Sequence, residues 1–125
     1  MYLAFHGSPN CLHIGEKIKL KLLDPNPNAK DFAKIIAGSD KGKIIHFGSC
    51  STLNMSAEEI AAFRKQTGAT AISGYNEDID FIESTLLDIL FFMACQNFIR
   101  PSAIDKYMKD NYSGFHDRTG FKFHY

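Results

Sequence analysis

Residues 43–52 read KIIHFGSCST, and residues 2–7 read YLAFHG. In each stretch an apolar run of strand length passes into small and polar residues, which is typical of a buried strand that ends in a loop. The first stretch ends beside Cys50 and the second ends at His6. We expect the strands over residues 2–5 and 43–47 to be parallel neighbours in one sheet. Because functional residues gather at the carboxyl ends of such strands, a histidine and a cysteine placed there could act as base and nucleophile.

The rest of the chain alternates predicted strands with predicted helices. Residues 12–14 and 17–23 form a hairpin around Gly15, and a helix follows that is capped by Asn26 and ended by Gly38. Further helices are expected over residues 57–67, 76–96 and 102–109, and further strands over residues 69–73 and 120–125. This order predicts a single α/β domain over residues 1–125, with a mainly parallel sheet and helices on both faces.

Local signals define some of the helix ends. Ser56 and Glu59 form a capping box, and Gly68 is a plausible left-handed residue after the same helix. Asn76 or Asp78 is expected to cap the long helix that follows. That helix is rich in Leu, Ile and Phe on most faces, which indicates a largely buried element. Ser102 is expected to cap the next helix.

Composition excludes several classes of function. Lys+Arg and Asp+Glu number 14 each, so no net charge favours binding to nucleic acid or to an anionic membrane. The apolar stretch over residues 79–93 contains three acidic residues and is too short to span a bilayer. No nucleotide-binding glycine motif or metal-ligand spacing is present, so no cofactor and no metal are expected. The cysteines lack CxxC spacing, which predicts free thiols in a cytoplasmic protein: Cys11, Cys50 and Cys95.

The two strand ends resemble a known family. An apolar strand that ends in His6-Gly7, followed by a hairpin, a helix and an apolar strand that ends at Cys50, is similar to the caspase-like (clan CD) cysteine peptidases, and most similar to bacterial CHAT-type proteins. The separation is close to the ~50 residues typical of a caspase pair. The resemblance covers residues 2–96. The residues around Cys50 differ from the caspase Gln-Ala-Cys-x-Gly signature.

The resemblance implies a three-layer sandwich that hydrolyses peptide bonds of a peptide or protein substrate through a thioester. It assigns Cys50 as the nucleophile and His6 as the base. The backbone N–H groups of Gly7 and Cys50 would form the oxyanion hole. Asp78 and Asp80 are the candidates for substrate binding, although acids at a helix start are also favoured by the helix dipole.

One feature differs from the caspase-like pattern. Such sheets usually have one or two strands before the strand that carries the histidine, and here that strand begins at residue 2. We therefore expect a sheet that is incomplete on its N-terminal side, with an edge that invites self-association or a partner.

Two other classes of function stay open. The first is a catalytically inactive caspase-like interaction module. The second is an α/β-hydrolase variant with Gly48-x-Cys50 as its nucleophile elbow and a late histidine, although Thr52 fits the elbow poorly. His46 is predicted to be a buried, hydrogen-bonded histidine. The other histidines are predicted to be ordinary surface or strand residues: His13, His116 and His124.

Overall fold

The computed structural model describes all residues, 1–125. Seven strands and four helices follow one another in a mixed α/β order. They are β1 (Tyr2–Leu3), β2 (His6–Ser8), β3 (Cys11–Ile14), β4 (Ile18–Lys21), α1 (Phe32–Ile35), β5 (Ile44–Phe47), α2 (Ala57–Thr67), β6 (Ala71–Tyr75), α3 (Phe81–Asn97), α4 (Pro101–Arg118) and β7 (Phe121–His124).

The larger sheet has four strands in the order β1-β5-β6-β7. Strands β1, β5 and β6 are parallel, and β7 adds an antiparallel strand at one edge. β1 and β5 are adjacent and parallel, and Tyr2 is aligned with His46. This confirms the prediction that the apolar runs over residues 2–5 and 43–47 form neighbouring parallel strands. β1 lies at the other edge and is only two residues long, so its unpaired edge is short.

His6 belongs to a second, smaller sheet, whereas the sequence predicts that it ends a strand of the larger sheet. β2, β3 and β4 form a three-stranded antiparallel sheet, and His6 is the first residue of β2. The prediction that His6 ends a strand of the parallel sheet is therefore wrong, because β1 stops at Leu3 and the chain changes sheets. The predicted hairpin is confirmed: β3 pairs with β4, and Gly15 in the turn has a φ of 73°.

Helices cover both faces of the larger sheet. Along β5, Ile45 and Phe47 pack with the cluster that contains α1 and α2, whereas His46 points to the side of α3. The other cluster joins α3 and α4 to Tyr75 of β6 and Phe121 of β7. The α/β class and the mainly parallel sheet agree with the sequence prediction.

Helix α2 has the predicted ends, and α1 does not. The Ser56 side chain accepts a hydrogen bond from the Glu59 N–H, and the Glu59 side chain accepts one from the Ser56 N–H. Gly68, after the last turn, has a left-handed backbone conformation. α1 begins after Asp31 rather than near Asn26. The reason is that the Asn26 side chain accepts from the Asn28 N–H and forms a turn.

The C-terminal half differs from the prediction at four helix or strand ends. Gly74 lies inside β6, which runs on to Tyr75, instead of breaking the strand. Asp80 caps α3, in place of Asn76 or Asp78. α4 begins at Pro101, where proline fits the first turn, so Ser102 is not the cap. α4 also continues past residue 109 to Arg118, with a kink at Tyr112.

Helix α3 is less buried than its composition predicts. Leu87, Phe91 and Ala94 are buried against the sheet and α4. Ile82, Leu86, Ile89 and Met93 form a stripe on the opposite side, and their exposed fractions run from 47% to 67%. No helix combines the length and the apolar character that a membrane crossing requires.

Candidate functional site

A cavity of about 450 Å³ opens where the parallel strands β1, β5 and β6 end. Its polar lining comes from His6, His13, Ser49, Cys50, Tyr75 and Ser84. Its apolar lining comes mainly from Ala4, Phe5, Ile79 and Phe81. His6 and Cys50, chosen from sequence as candidate catalytic residues, therefore lie at the same cavity although they belong to different sheets.

Gly7 brings the two sheets together at this point. A Cβ at Gly7 would lie 2.0 Å from the Thr52 Oγ1 and 2.6 Å from the Cys50 carbonyl oxygen. No other residue fits in this space, because real Cβ atoms do not approach so closely. The backbone of β2 consequently packs directly on the loop after β5, and the neighbouring His6 is held beside the cavity.

The loop that carries Cys50 is held by the segment between β6 and α3. The Ser51 N–H donates to the Glu77 carbonyl at 3.0 Å, and the Leu53 N–H donates to the Tyr75 carbonyl at 2.9 Å. The half-buried Cys50 thiol faces the Ile79 carbonyl, with 3.8 Å between Sγ and O. The Cys50 N–H donates no hydrogen bond within the chain. The loop thus offers a thiol and a free backbone donor at one place.

The His6 ring is exposed and forms no hydrogen bond, to Cys50 or to any other group of the chain. His13 lies directly opposite it in the β2–β3 ladder and also lines the cavity. The His13 Nε2 is 2.9 Å from the Ser8 Oγ. Sequence reasoning missed His13. The signal that could have found it is the tight turn after Ser8, which sets His6 and His13 opposite each other.

Asp78 and Asp80, the candidates for substrate binding, do not line the cavity. Asp78 accepts a hydrogen bond from the Ser51 hydroxyl. Asp80 accepts from the Ile82 and Glu83 N–H groups at the start of α3. Their carboxylates are used to hold the Cys50 loop and to cap α3, and Ile79 between them faces the cavity instead.

A buried polar network lies behind the cavity. The His46 ring is 1% exposed; its Nδ1 is 2.8 Å from the Ser73 Oγ and its Nε2 is 2.7 Å from Asp88 Oδ1. The prediction of a buried, hydrogen-bonded His46 is confirmed. Ser73 has no exposed surface, so this Ser–His–Asp chain cannot reach a substrate. Its role is to join β5, β6 and α3.

Asp88 accepts three side-chain donors in this network. In addition to His46, the hydroxyls of Tyr2 and Tyr75 donate to it. Burial, followed by the nearby Asp88 charge, raises the pKa of Tyr2 to about 12. The same causes raise the pKa of Tyr75 well above its ordinary value. Because Tyr75 also lines the cavity, its hydroxyl links the buried network to the candidate site.

The α/β-hydrolase alternative requires a histidine late in the chain beside Cys50, and neither His116 nor His124 is placed there. His116 lies on α4, its ring 5.4 Å from that of Phe121. His124 lies on β7, and neither histidine lines the cavity. A loop rather than a tight turn separates Cys50 from α2, which begins at Ala57. No group of three or more His, Cys, Asp or Glu side chains has a geometry that could hold a metal ion.

Comparisons with known proteins give one match. No curated protein matches the chain, and no solved structure matches it. The model of the family described as "Family of unknown function (DUF6642)" matches residues 1–125. Because this match covers the whole chain, the protein belongs to the DUF6642 family.

Proposed function

We propose that this protein is a cysteine peptidase of the caspase-like type, with Cys50 as its nucleophile and His6 as its general base. The observation that carries the proposal is that a thiol and a hydrogen-bond-free imidazole line one cavity at the carboxyl ends of parallel strands. In sheets of this kind that edge is where ligands bind. The helices on both faces of the sheet and the antiparallel sheet after β1 are compatible with a caspase-like sandwich.

The reaction would have two half-reactions, and in each of them His6 would act first as a base and then as an acid. His6 takes the Cys50 thiol proton, and the thiolate attacks the carbonyl carbon of the scissile peptide bond. The bond to nitrogen breaks as His6 returns the proton to the leaving amine, which gives a thioester and a free amine. Water, deprotonated by His6, then hydrolyses the thioester to a carboxylic acid and restores the thiol.

The oxyanion of each tetrahedral intermediate needs hydrogen-bond donors that are free in the resting protein. The Cys50 N–H is such a donor, because it has no acceptor within the chain. Gly7 is the second expected donor, and the absence of a side chain lets its backbone lie against the Cys50 loop. The proposed substrate is a peptide or protein, and the proposed compartment is the cytoplasm, where the free thiols stay reduced.

The first test is the reactivity of the three thiols. Iodoacetamide at pH 7 should alkylate Cys50 faster than Cys11 or Cys95, and His6→Ala should slow the reaction at Cys50 alone. Cys95 is a slow reference thiol, because burial raises its pKa to about 11, so the decisive comparison is the rate at Cys50 with and without His6→Ala. Peptide mapping by mass spectrometry measures all three rates in one sample.

The second test is turnover. A library of peptides should be cleaved by the unmodified protein and not by Cys50→Ala or His6→Ala. The absence of a His6–Cys50 hydrogen bond in the resting structure favours a second candidate, the inactive interaction module. Equal alkylation rates at Cys50 and Cys95, unchanged by His6→Ala and accompanied by no cleavage, would exclude the peptidase and favour that candidate.

A further inference from the structure

We infer that the cavity beside Cys50 binds an uncharged, apolar side chain of the substrate, on the acyl side of the scissile bond. This inference rests on the proposed peptidase function and adds the chemical class of the residue that is recognised. It replaces the expectation, taken from the sequence, that acidic residues of the β6–α3 segment select the substrate.

The lining of the cavity carries the inference. None of the lining residues is Asp, Glu, Lys or Arg. Phe5 and Phe81 border the cavity with exposed fractions of 42% and 81%, and Ile79 lies between the Cys50 loop and α3. A concave site with apolar walls and a few polar groups is the usual form of a ligand pocket. Aromatic side chains left this exposed at its rim are available to contact a ligand.

The apolar wall begins next to the nucleophile. The Cys50 Sγ is 3.8 Å from the carbonyl oxygen of Ile79, and both residues line the cavity. When the thiolate attacks a peptide carbonyl, the side chain of that same substrate residue must lie within a few ångströms of the sulfur. Ile79 contacts the Cys50 thiol through its backbone and lines the cavity together with Phe81, so we assign these two residues as the apolar wall that the substrate side chain contacts.

The acids near the cavity are not available to a basic side chain, because Asp88 already accepts three side-chain donors behind it. Asp78 accepts from the Ser51 hydroxyl, and Asp80 accepts from two backbone N–H groups. A basic substrate residue that entered the cavity would lose water without gaining an ion pair, which is unfavourable. An acidic one could pair with His6 or His13 only in their protonated form, and His6 must be neutral to take the Cys50 proton. Discrimination against acidic and basic residues follows from the same lining.

The experiment measures binding and cleavage separately. Fluorogenic peptides that differ only in the residue before the scissile bond carry Leu, Phe, Asp or Arg there, with mixtures at the other positions. Binding to Cys50→Ala is measured by fluorescence anisotropy, and cleavage by the unmodified protein is measured as fluorophore release. We expect Leu and Phe to exceed Asp and Arg by at least about tenfold in both assays.

A charge-introducing pair of variants tests the assigned wall. Ile79→Glu should lower binding of the Leu peptide at least about tenfold and raise binding of the Arg peptide, because the carboxylate would supply the missing ion-pair partner. The matched control is Ile99→Glu, since Ile99 is 98% exposed and does not line the cavity. The control should leave the preference unchanged.

The outcomes separate the two claims. Cleavage that depends on Cys50 but shows equal or greater rates for Asp or Arg overturns the apolar preference and leaves the peptidase in place. Apolar-selective binding to Cys50→Ala with no cleavage by the unmodified protein overturns the peptidase and supports the apolar pocket. Binding without preference in Cys50→Ala, or an Ile79→Glu effect matched by Ile99→Glu, overturns the pocket assignment.

Discussion

His46 and His6 are two histidines of one molecule in opposite situations. His46 is buried, both of its ring nitrogens have partners, and aromatic rings surround it. His6 is exposed at a cavity and has no hydrogen-bond partner. His46 is the closer of the two to Cys50 along the chain, yet its fixed contacts leave it no free nitrogen to accept a proton. The difference shows that the role of a histidine follows from its partners and not from its sequence distance.

The largest expected effect comes from removing the acceptor of the buried network. Asp88→Ala should lower the free energy of unfolding by about 3–5 kcal/mol, because the buried His46 and Tyr75 and the more exposed Tyr2 lose their common acceptor. Chemical denaturation followed by circular dichroism measures this free energy for the variant and for the unmodified protein. Asp110→Ala is the control: Asp110 forms an exposed ion pair with Lys106 on α4, so its loss should change stability by less than about 0.5 kcal/mol. Similar losses in both variants would mean that the network does not stabilise the fold.

The two histidines can be compared directly by the same substitution. His46→Ala should destabilise the protein by about 2–4 kcal/mol, since it leaves the buried Ser73 hydroxyl without its partner, removes one of the three donors to Asp88 and removes a packed ring. His6→Ala should change stability by less than about 0.5 kcal/mol and should slow alkylation of Cys50. Measuring both unfolding and thiol reactivity for each variant sharpens the contrast. A large stability loss in His6→Ala would instead make His6 a structural residue.

Substitution of Gly7 tests the contact that joins the two sheets. Gly7→Ala should cost about 1–3 kcal/mol, because the new Cβ must displace Thr52 and the Cys50 carbonyl. Gly114→Ala is the matched control, since Gly114 lies in α4 and a Cβ there meets nothing within 4 Å. The control should be neutral or stabilising by up to about 1 kcal/mol, as expected for glycine in a helix. Thermal unfolding of both variants decides the comparison.

The smallest effect is expected at alkaline pH. The pKa of Tyr2 in the folded protein is raised to about 12, so the unfolded chain ionises this residue at lower pH than the folded protein does. Its contribution to stability should be complete below pH ~10 and should decline as the pH rises toward 12. Melting temperatures between pH 8 and 12 should fall less steeply in Tyr2→Phe. A slope in Tyr2→Phe equal to that of the unmodified protein would contradict the raised pKa of Tyr2.

The sequence predicted those features that depend on neighbours along the chain. The capping box of Ser56 and Glu59 uses contacts within one turn, and the turn around Gly15 joins adjacent strands, so both could be read directly. Apolar run length was enough to predict β5 and its pairing with β1. The position of the cap of α3 could not be read in the same way, because Asn76, Asp78 and Asp80 are all suitable residues and tertiary contacts decide among them.

The candidate site was predicted in part. The sequence indicated His6 and Cys50 as candidates, and the structure brings them to one cavity. It could not indicate that the chain changes sheets between Leu3 and His6, because the apolar run continues through Phe5 without a break. The sequence also did not predict that Ile79 and Phe81 line the cavity. Asp78 and Asp80 alternate with them along the chain and were predicted to bind the substrate instead. Which side chain faces the cavity depends on contacts between distant segments.

The close approach of Gly7 to the Cys50 loop also has a consequence at the level of the gene. Every glycine codon begins with two guanines, and each single-base missense change at such a codon produces a residue with a Cβ atom. At Gly7 that atom would lie 2.0 Å from Thr52, whereas at Gly114 it would meet open space. Point mutation is therefore expected to change the codon of Gly114 with little loss of stability, whereas every missense change at the codon of Gly7 must displace atoms at the contact between the two sheets.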